Sequence, residues 1–232
     1  MVENNISASN RFSRQEGILP PSKLAQERII LVGAGAVGRQ VGIQLAAGGA
    51  MNIQVVDFDL IEMVNVATQG YSFGDVGKLK AEVLAETMRG LSPEAEKDSF
   101  ITRCDMWSPA NAKLYEPTIL FSCVDNMEAR ASIYKFFQKT DSVKLLVDGR
   151  MLGETIRFIT VQRGDTHYDG TLFTDERAAR GRCTSQSTYY ASSILASMMI
   201  RQFTFHLRDY RLDIRDKDRK VNLLDLDCGF SA

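Results

Sequence analysis

Hydrophobic residues along the chain follow two alternating patterns: short continuous apolar runs, and longer segments with an apolar residue every three or four positions. The runs are typical of strands buried on both faces, and the longer segments are typical of amphipathic helices. The runs predict strands over residues 28–35, which ends in a glycine turn, 51–57, 118–124 and 143–147. The helical spacing predicts helices over residues 36–49, 75–91, 127–138 and 184–207.

Residues 155–161 instead alternate apolar and polar side chains, which predicts an antiparallel strand. The alternation of strands with helices predicts an α/β fold, namely a doubly wound, mostly parallel, Rossmann-like sheet with helices on both faces. Residues 164–182 are polar and turn-rich, which predicts a loop, and the charged tail over 209–225 predicts a terminal hairpin. We expect a flexible N-terminus over residues 1–10 and a single domain over 11–232.

Composition narrows the class of protein. The 232 residues carry 28 basic and 29 acidic side chains, a formal net charge of −1. A chain with this balance is not expected to bind nucleic acid or an anionic membrane by its overall charge. The sequence has no apolar run of about eighteen residues that would span a bilayer, and its N-terminus lacks the apolar segment of a signal peptide. We therefore expect a cytoplasmic protein without membrane contact.

The cysteines support the same compartment. Cys104, Cys123, Cys183 and Cys228 are far apart in the sequence and form no CxxC pair. A structural zinc site normally draws on closely spaced ligand pairs, and disulfides are rare in a reducing compartment. We expect free thiols and no zinc.

The turn after the first strand contains Gly33, Gly35 and Gly38. Small residues at a strand-to-helix turn let the backbone approach a phosphate, which the helix N-terminus attracts. Asp57 ends the second strand, 19 residues after Gly38, where a carboxylate can accept hydrogen bonds from ribose hydroxyls. The combination indicates a nucleotide site; the alternative is a tight turn that needs glycine only for packing.

Two further residues favour ATP over a dinucleotide. Lys80 lies on the next predicted helix, and Asp125 follows the strand over 118–124. A lysine places positive charge beside phosphates, and an aspartate at a strand end can hold Mg²⁺. An NAD-dependent oxidoreductase, the alternative, has no evident need of this pair, whereas a nucleotidyl-transfer enzyme does. The alternatives for Lys80 are that it is a solvated surface lysine or that Lys78 binds the phosphates in its place. The alternative for Asp125 is that it caps the following helix.

Six motifs occur in order along the first half of the chain: Arg11-Phe-Ser-Arg14-Gln15, the turn over 33–38, Asp57-Phe-Asp59, Asn65 followed by Gln69, Asp75-Val-Gly-Lys-Leu-Lys80, and Asp125-Asn126 followed by Arg130. Together they resemble the ThiF/MoeB/ubiquitin-activating enzyme family. Members of that family adenylate the carboxyl-terminal glycine of a ubiquitin-like protein and release pyrophosphate. The resemblance extends from Arg11 to about Arg130 and continues more weakly through the helix after Cys183.

The resemblance implies a function and a set of site residues. The function is ATP-dependent activation of a ubiquitin-like or sulfur-carrier protein as its acyl-adenylate. The implied nucleotide pocket is lined by Gly33, Gly35, Gly38, Asp57, Asp59, Asn65, Lys80 and Asn126. Asp125 positions Mg²⁺, and Arg14 reaches the ATP of the neighbouring subunit in a homodimer. A plain surface charge is the alternative for Arg14, and a solvated turn residue is the alternative for Asp59.

The sequence departs from the family pattern in two places. Family members carry an arginine before the glutamine that matches Gln69, and this chain has Thr68 there. The paired zinc-binding cysteines of many relatives are also missing. The family arginine stabilises ATP phosphates. Because Thr68 cannot do so, an alternative function is that the chain is a non-catalytic subunit of a heterodimer. ATP-dependent dehydration of a modified tRNA base, within the same family, is a further alternative.

Cys183 is the remaining candidate for chemistry. It lies between Arg182 and a predicted helix N-terminus, and both features favour the thiolate form of a cysteine. The resemblance implies that a cysteine at this place forms a thioester or a related thiol linkage with the carrier. A small buried residue near a helix start is the alternative.

Overall fold

The computed structural model describes residues 11–173 and 187–208 in full, and residues 221–225 by their main chain. Within these residues one seven-stranded sheet forms, in the order β3-β2-β1-β4-β5-β6-β7. Its strands are β1 (Arg28–Val32), β2 (Asn52–Val56), β3 (Phe100–Arg103), β4 (Ile119–Ser122), β5 (Leu145–Leu152), β6 (Thr155–Gln162) and β7 (Val221–Asp225).

The pairing confirms the predicted fold class. β1 to β5 pair in parallel, while β6 pairs antiparallel with both β5 and β7. The strand order reverses between β1 and β4, and in open α/β sheets ligands bind at the carboxyl ends of the strands at such a reversal. Val32 of β1 lies beside Ser122 of β4 in the parallel register, so the loops that follow these two strands begin side by side.

Helices cover both faces of the sheet. They are α1 (Pro21–Leu24), α2 (Ala36–Gly48), α3 (Met63–Gln69), α4 (Lys80–Leu91), α5 (Pro109–Tyr115), α6 (Met127–Lys139) and α7 (Tyr189–Leu207). α2, α4 and α7 pack on one face around a core that includes Leu45, Leu84 and Phe203. α5 and α6 cover the other face around a core that includes Ile133 and Leu146. None of the described helices is long and apolar enough to cross a membrane.

The long apolar patterns of the sequence predict most of these elements. The predicted strands that became β1, β2, β4, β5 and β6 are confirmed, as are the helices α2 and α6. The sequence patterns did not predict four elements, namely α1, α3, β3 and α5, which have few buried side chains. Within them only Leu24 of α1, Phe100 of β3 and Ala112 of α5 are buried, and without a buried face an element leaves no apolar period in the sequence.

Two predicted helix starts are wrong. The helix predicted over 75–91 begins at Lys80, because Phe73–Asp75 forms a separate 3₁₀ turn and Gly77 adopts a φ of 88° that a helix does not allow. The helix predicted over 184–207 begins at Tyr189, where the Thr188 hydroxyl accepts a hydrogen bond from the Ala191 amide at 3.4 Å. The predictions on residues 1–10, 174–186 and 209–220, and on Cys228, lie outside the described residues.

Candidate nucleotide site

The glycine turn joins β1 to α2 at the carboxyl edge of the sheet. Gly33 has a φ of 93°, and a Cβ atom there would lie 2.5 Å from the Cys123 carbonyl oxygen. A Cβ atom at Gly38 would lie 1.8 Å from the Gly33 carbonyl oxygen. These two glycines are therefore needed for close packing, as the packing alternative requires.

Gly35 differs from its two neighbours. A Cβ atom at this position would have nothing within 4 Å, so packing does not explain the glycine. Gly35 is the N-cap of α2 and has no side chain that could cap the first amides of that helix. Free helix N-terminal amides beside open space are suited to a phosphate group.

Asp57, at the end of β2, is tied to the turn. One carboxylate oxygen accepts the Ala34 amide at 2.6 Å, and the other accepts the Asp59 amide at 2.8 Å. Burial raises the pKa of Asp57, while these two backbone donors act in the opposite direction. A carboxylate oxygen can accept two hydrogen bonds, so both oxygens retain capacity for ribose hydroxyls.

Lys80 is the first residue of α4 and only 7% of its surface is exposed. Its Nζ atom donates to Asp59 Oδ2 at 2.8 Å, and its amide donates to the Asp59 carbonyl at 3.0 Å. Lys78 instead projects into solvent and pairs with Asp75 at 3.0 Å. The structure thus places Lys80 beside Asp57 and Asp59, as predicted. Lys78, and not Lys80, is the solvated lysine.

Asp125 and Asn126 follow β4. Asn126, not Asp125, caps α6, because its Oδ1 atom accepts the Ala129 amide at 2.8 Å. The capping alternative for Asp125 is therefore wrong, and its exposed carboxylate accepts a hydrogen bond from the Asn126 side-chain Nδ2 atom at 3.2 Å. Asp125 is two residues from Cys123, which touches the glycine turn, so it lies within about 7 Å of that contact along the chain.

Asn65 and Thr68 lie on α3. The Asn65 Oδ1 atom accepts the Glu62 amide at 2.8 Å in a capping box, which leaves its side-chain amide group to donate. The Thr68 hydroxyl donates to the Val64 carbonyl at 3.0 Å within the same helix. Thr68 therefore supplies neither a charge nor a free hydrogen-bond donor to the site.

Arg14 lies far from the glycine turn of its own chain. The next residue, Gln15, donates from its side chain to the Gly48 carbonyl at 2.9 Å, at the C-terminal end of α2. α2 has 13 residues, a length of about 20 Å, and the glycine turn is at its other end. Arg14 is not brought together with the other site residues within one chain.

A buried ion network next to Asp125 was not predicted from the sequence. Asp148 is fully buried on β5 and accepts from Arg130 Nε at 3.2 Å, Arg150 Nε at 2.6 Å and the Tyr168 hydroxyl at 3.1 Å. Arg130 lies in the first turn of α6, so the network holds the start of that helix, and with it Asp125, against the sheet. Two charged residues in the otherwise apolar segment over 145–152 were the signal for it.

The remaining candidates for chemistry are the cysteines and possible metal ligands. Cys104 and Cys123 are free thiols, and burial raises the pKa of both, which disfavours the nucleophilic thiolate. Cys183 lies outside the described residues. Within the described ranges, no cluster of three or more His, Cys, Asp or Glu residues could hold a metal ion by itself. Mg²⁺ commonly takes one or two protein carboxylates and completes its shell with phosphate oxygens and water, so the exposed Asp125 carboxylate fits such an ion.

A cavity of about 540 Å³ lies between the sheet and α5, beside the first residues of β1 and β2. Arg28, Asn52, Gln54, Arg103 and Tyr115 are among its lining residues. None of the motif residues lines this cavity. The candidate nucleotide site is defined by the turn and its neighbours.

The strand order, the open glycine turn at the strand-order reversal and the acid at the end of β2 define a class, the doubly wound α/β proteins with a nucleotide-type turn. The sequence profile described as "ThiF family" matches residues 10–226. The chain belongs to the ThiF family.

Individual relatives match over part of their length. The tRNA threonylcarbamoyladenosine dehydratase 2 of Saccharomyces cerevisiae is 29% identical over 120 residues, which cover 49% of this chain and 26% of the relative. The SAMP-activating enzyme E1 of Haloferax volcanii is 37% identical over 84 residues, which cover 36% of this chain and 31% of the relative. The chain thus matches about a quarter to a third of the length of these relatives.

Solved structures share the fold. The crystal structure of Escherichia coli MccB with ATP superimposes with a TM-score of 0.70 at 19% identity, and the match covers 87% of this chain and 64% of MccB. At this identity the likeness establishes the fold alone.

Proposed function

We propose that the protein adenylates a carboxylate with Mg·ATP. The observation that carries the proposal is the buried Lys80 ammonium group, held by Asp59 next to the ribose-binding candidate Asp57, at the same edge of the sheet as the open glycine turn. A buried cation beside helix N-terminal amides is suited to a triphosphate. Membership of the ThiF family supports ATP over NAD as the nucleotide.

In the proposed reaction, a carboxylate oxygen of the substrate attacks the α-phosphorus atom of ATP. The bond from that phosphorus to the bridging oxygen breaks, pyrophosphate leaves with the electron pair, and the acyl-adenylate remains. Lys80 and the first amides of α2 stabilise the charge on the phosphates, and Asp57 orients the ribose. Positioning and charge neutralisation carry such a reaction, and no proton relay is required. Asp125 would hold Mg²⁺, which would supply further charge neutralisation.

Within this proposal, the substrate is the carboxyl-terminal glycine of a ubiquitin-like or sulfur-carrier protein. The name of the Haloferax volcanii relative, an E1-type activating enzyme, supports this substrate. The name of the yeast relative favours a second candidate, ATP-dependent dehydration at a modified tRNA base. Both substrates would be activated through a carboxylate, so the nucleotide site described here serves either. Transfer of the activated acyl group to Cys183 remains a prediction from the sequence.

The nucleotide is tested by calorimetric titration of the protein with Mg·ATP and, separately, with NAD⁺. We expect saturable binding of Mg·ATP and none of NAD⁺. The reaction is then tested by ATP–pyrophosphate exchange in the presence of candidate carriers that end in Gly-Gly and, separately, of tRNA that contains threonylcarbamoyladenosine. Tighter binding of NAD⁺ would overturn the choice of nucleotide. Binding of ATP without exchange on any substrate would favour the non-catalytic subunit, for which Thr68 is the supporting residue.

We also propose that the protein acts as a homodimer in which Arg14 reaches the partner's nucleotide. The position of Arg14, at the far end of α2 from its own glycine turn, supports this arrangement. The loop and helix next to the nucleotide site expose large apolar side chains that a partner can cover: Phe58, Leu60, Met63, Val64, Phe73 and Val76. Such exposure is typical of an interaction surface.

Mixed dimers test the role of Arg14. Arg14→Ala and Lys80→Met chains are each expected to be inactive in the exchange assay when alone. After the two chains are mixed and allowed to exchange subunits, half of the dimers combine both variants, and each mixed dimer has one intact site. We expect recovery of about a quarter of the wild-type rate. No recovery, with subunit exchange confirmed by mass spectrometry, would show that Arg14 does not act across the interface.

A further inference from the structure

Tyr71 is a buried residue that contacts two parts of the candidate nucleotide site, the glycine turn and the start of α4. Its side chain is 2% exposed. Its hydroxyl donates to the carbonyl of Ala34, inside the glycine turn, at 2.6 Å, and the carbonyl of Lys80 lies 3.4 Å from the same oxygen. One hydroxyl group therefore contacts both the turn and the first residue of α4.

Arg39 lies against the ring of Tyr71. It follows Gly38 in the first turn of α2 and is 8% exposed. Its guanidinium carbon is 4.5 Å from the centre of the Tyr71 ring, and its Nε atom donates to the Gly70 carbonyl at 3.0 Å. Its Nη1 atom also reaches the Thr87 hydroxyl at 3.4 Å. Arg39 thus holds the end of α3 and the side of α4 to the start of α2.

Arg39 has no ion-pair partner within the part of the chain that the structure describes. A buried charge is normally paired, because removing it from water is costly. A buried cation in the first turn of α2, without an ion-pair partner among the described residues, therefore favours an anion near the glycine turn.

We propose that Arg39 and Tyr71 are positioning residues for the triphosphate. Tyr71 fixes the distance between the glycine turn and Lys80. Arg39 packs against Tyr71 and contributes a positive charge near the phosphates, which Thr68 does not. The inference rests on the proposed nucleotide site and assigns two residues that the motif pattern does not include. It predicts that changes at these positions alter nucleotide affinity beyond their effect on stability.

The positioning role is tested with Tyr71→Phe and a matched control, Tyr134→Phe. Tyr134 is also buried, and its hydroxyl bonds Asp169 at 3.1 Å, away from the glycine turn. The Tyr134 hydroxyl has a second hydrogen-bonding neighbour, Gln138. Each change therefore removes one hydroxyl group that has two hydrogen-bonding neighbours, so we expect similar, small decreases in the unfolding midpoint. Only Tyr71→Phe is expected to weaken Mg·ATP binding, by roughly five- to tenfold. Equal ATP affinity in the two variants would overturn the role of Tyr71.

The charge of Arg39 is tested by the ratio of ATP affinity to AMP affinity. Arg39→Lys keeps the positive charge and Arg39→Gln removes it, while both can still donate a hydrogen bond toward Gly70. We expect Arg39→Gln to lower the preference for ATP over AMP by roughly tenfold and Arg39→Lys to keep most of it. If both variants lost ATP and AMP affinity by the same factor, Arg39 would be only structural. Wild-type protein that bound no ATP would instead overturn the proposed nucleotide site itself.

Discussion

Lys80→Met is expected to weaken binding of Mg·ATP by roughly 10- to 100-fold and to abolish pyrophosphate exchange. Lys80 is the one lysine that the structure places, almost fully buried, beside Asp57 and Asp59. Methionine has a similar length and is apolar, so it removes the charge that we propose faces the phosphates while it largely fills the same space. Titration calorimetry of the purified variant with Mg·ATP measures the effect.

Lys78→Met is the matched control for this prediction. It makes the same chemical change two residues earlier, at a side chain that is 54% exposed and paired with Asp75. Surface ion pairs of this kind contribute little, so we expect ATP affinity within about twofold of the wild type. If the two variants lost affinity equally, the burial of Lys80 would have no role in nucleotide binding.

Gly38→Ala is expected to lower the unfolding midpoint by roughly 10 °C or to prevent folding. The added methyl group would lie 1.8 Å from the Gly33 carbonyl oxygen, which no side-chain rotation can relieve. The backbone of the turn must therefore move away from the β4 end, where Cys123 packs against it. Differential scanning calorimetry of the variant without nucleotide measures this effect on the fold.

Gly35→Ala separates packing from binding in the same turn. Its methyl group would meet no atom within 4 Å, and the φ of −71° at this residue is open to alanine. We expect an unfolding midpoint within a few degrees of the wild type, and Mg·ATP affinity reduced by roughly tenfold, because the methyl group enters the space proposed for the phosphates. Unchanged ATP affinity would show that the phosphates do not approach Gly35.

Parts of the site that depend on local pattern could be predicted from the sequence. Continuous apolar runs specify strands buried on both faces, and the connections between such strands must run through helices that cover the sheet. The residues after these runs, Gly33, Asp57 and Asp125, therefore had to lie at the carboxyl edge of one sheet. The burial of Lys80 and its pairing with Asp59 followed from no local pattern, since 21 residues separate them along the chain.

The sequence by itself determined the α/β class, the positions along the chain of most buried strands and the edge of the sheet that holds the motif residues, because apolar periodicity is a local property of the chain. Only the tertiary structure decided that Asn126 caps α6 in place of Asp125, that Arg39 and Tyr71 support the glycine turn, and that Arg14 lies at the far end of α2. Each of these outcomes depends on which side chains meet after packing. Which of two neighbouring residues makes a given contact depends on the packed geometry, and the periodicity of apolar residues does not specify that geometry.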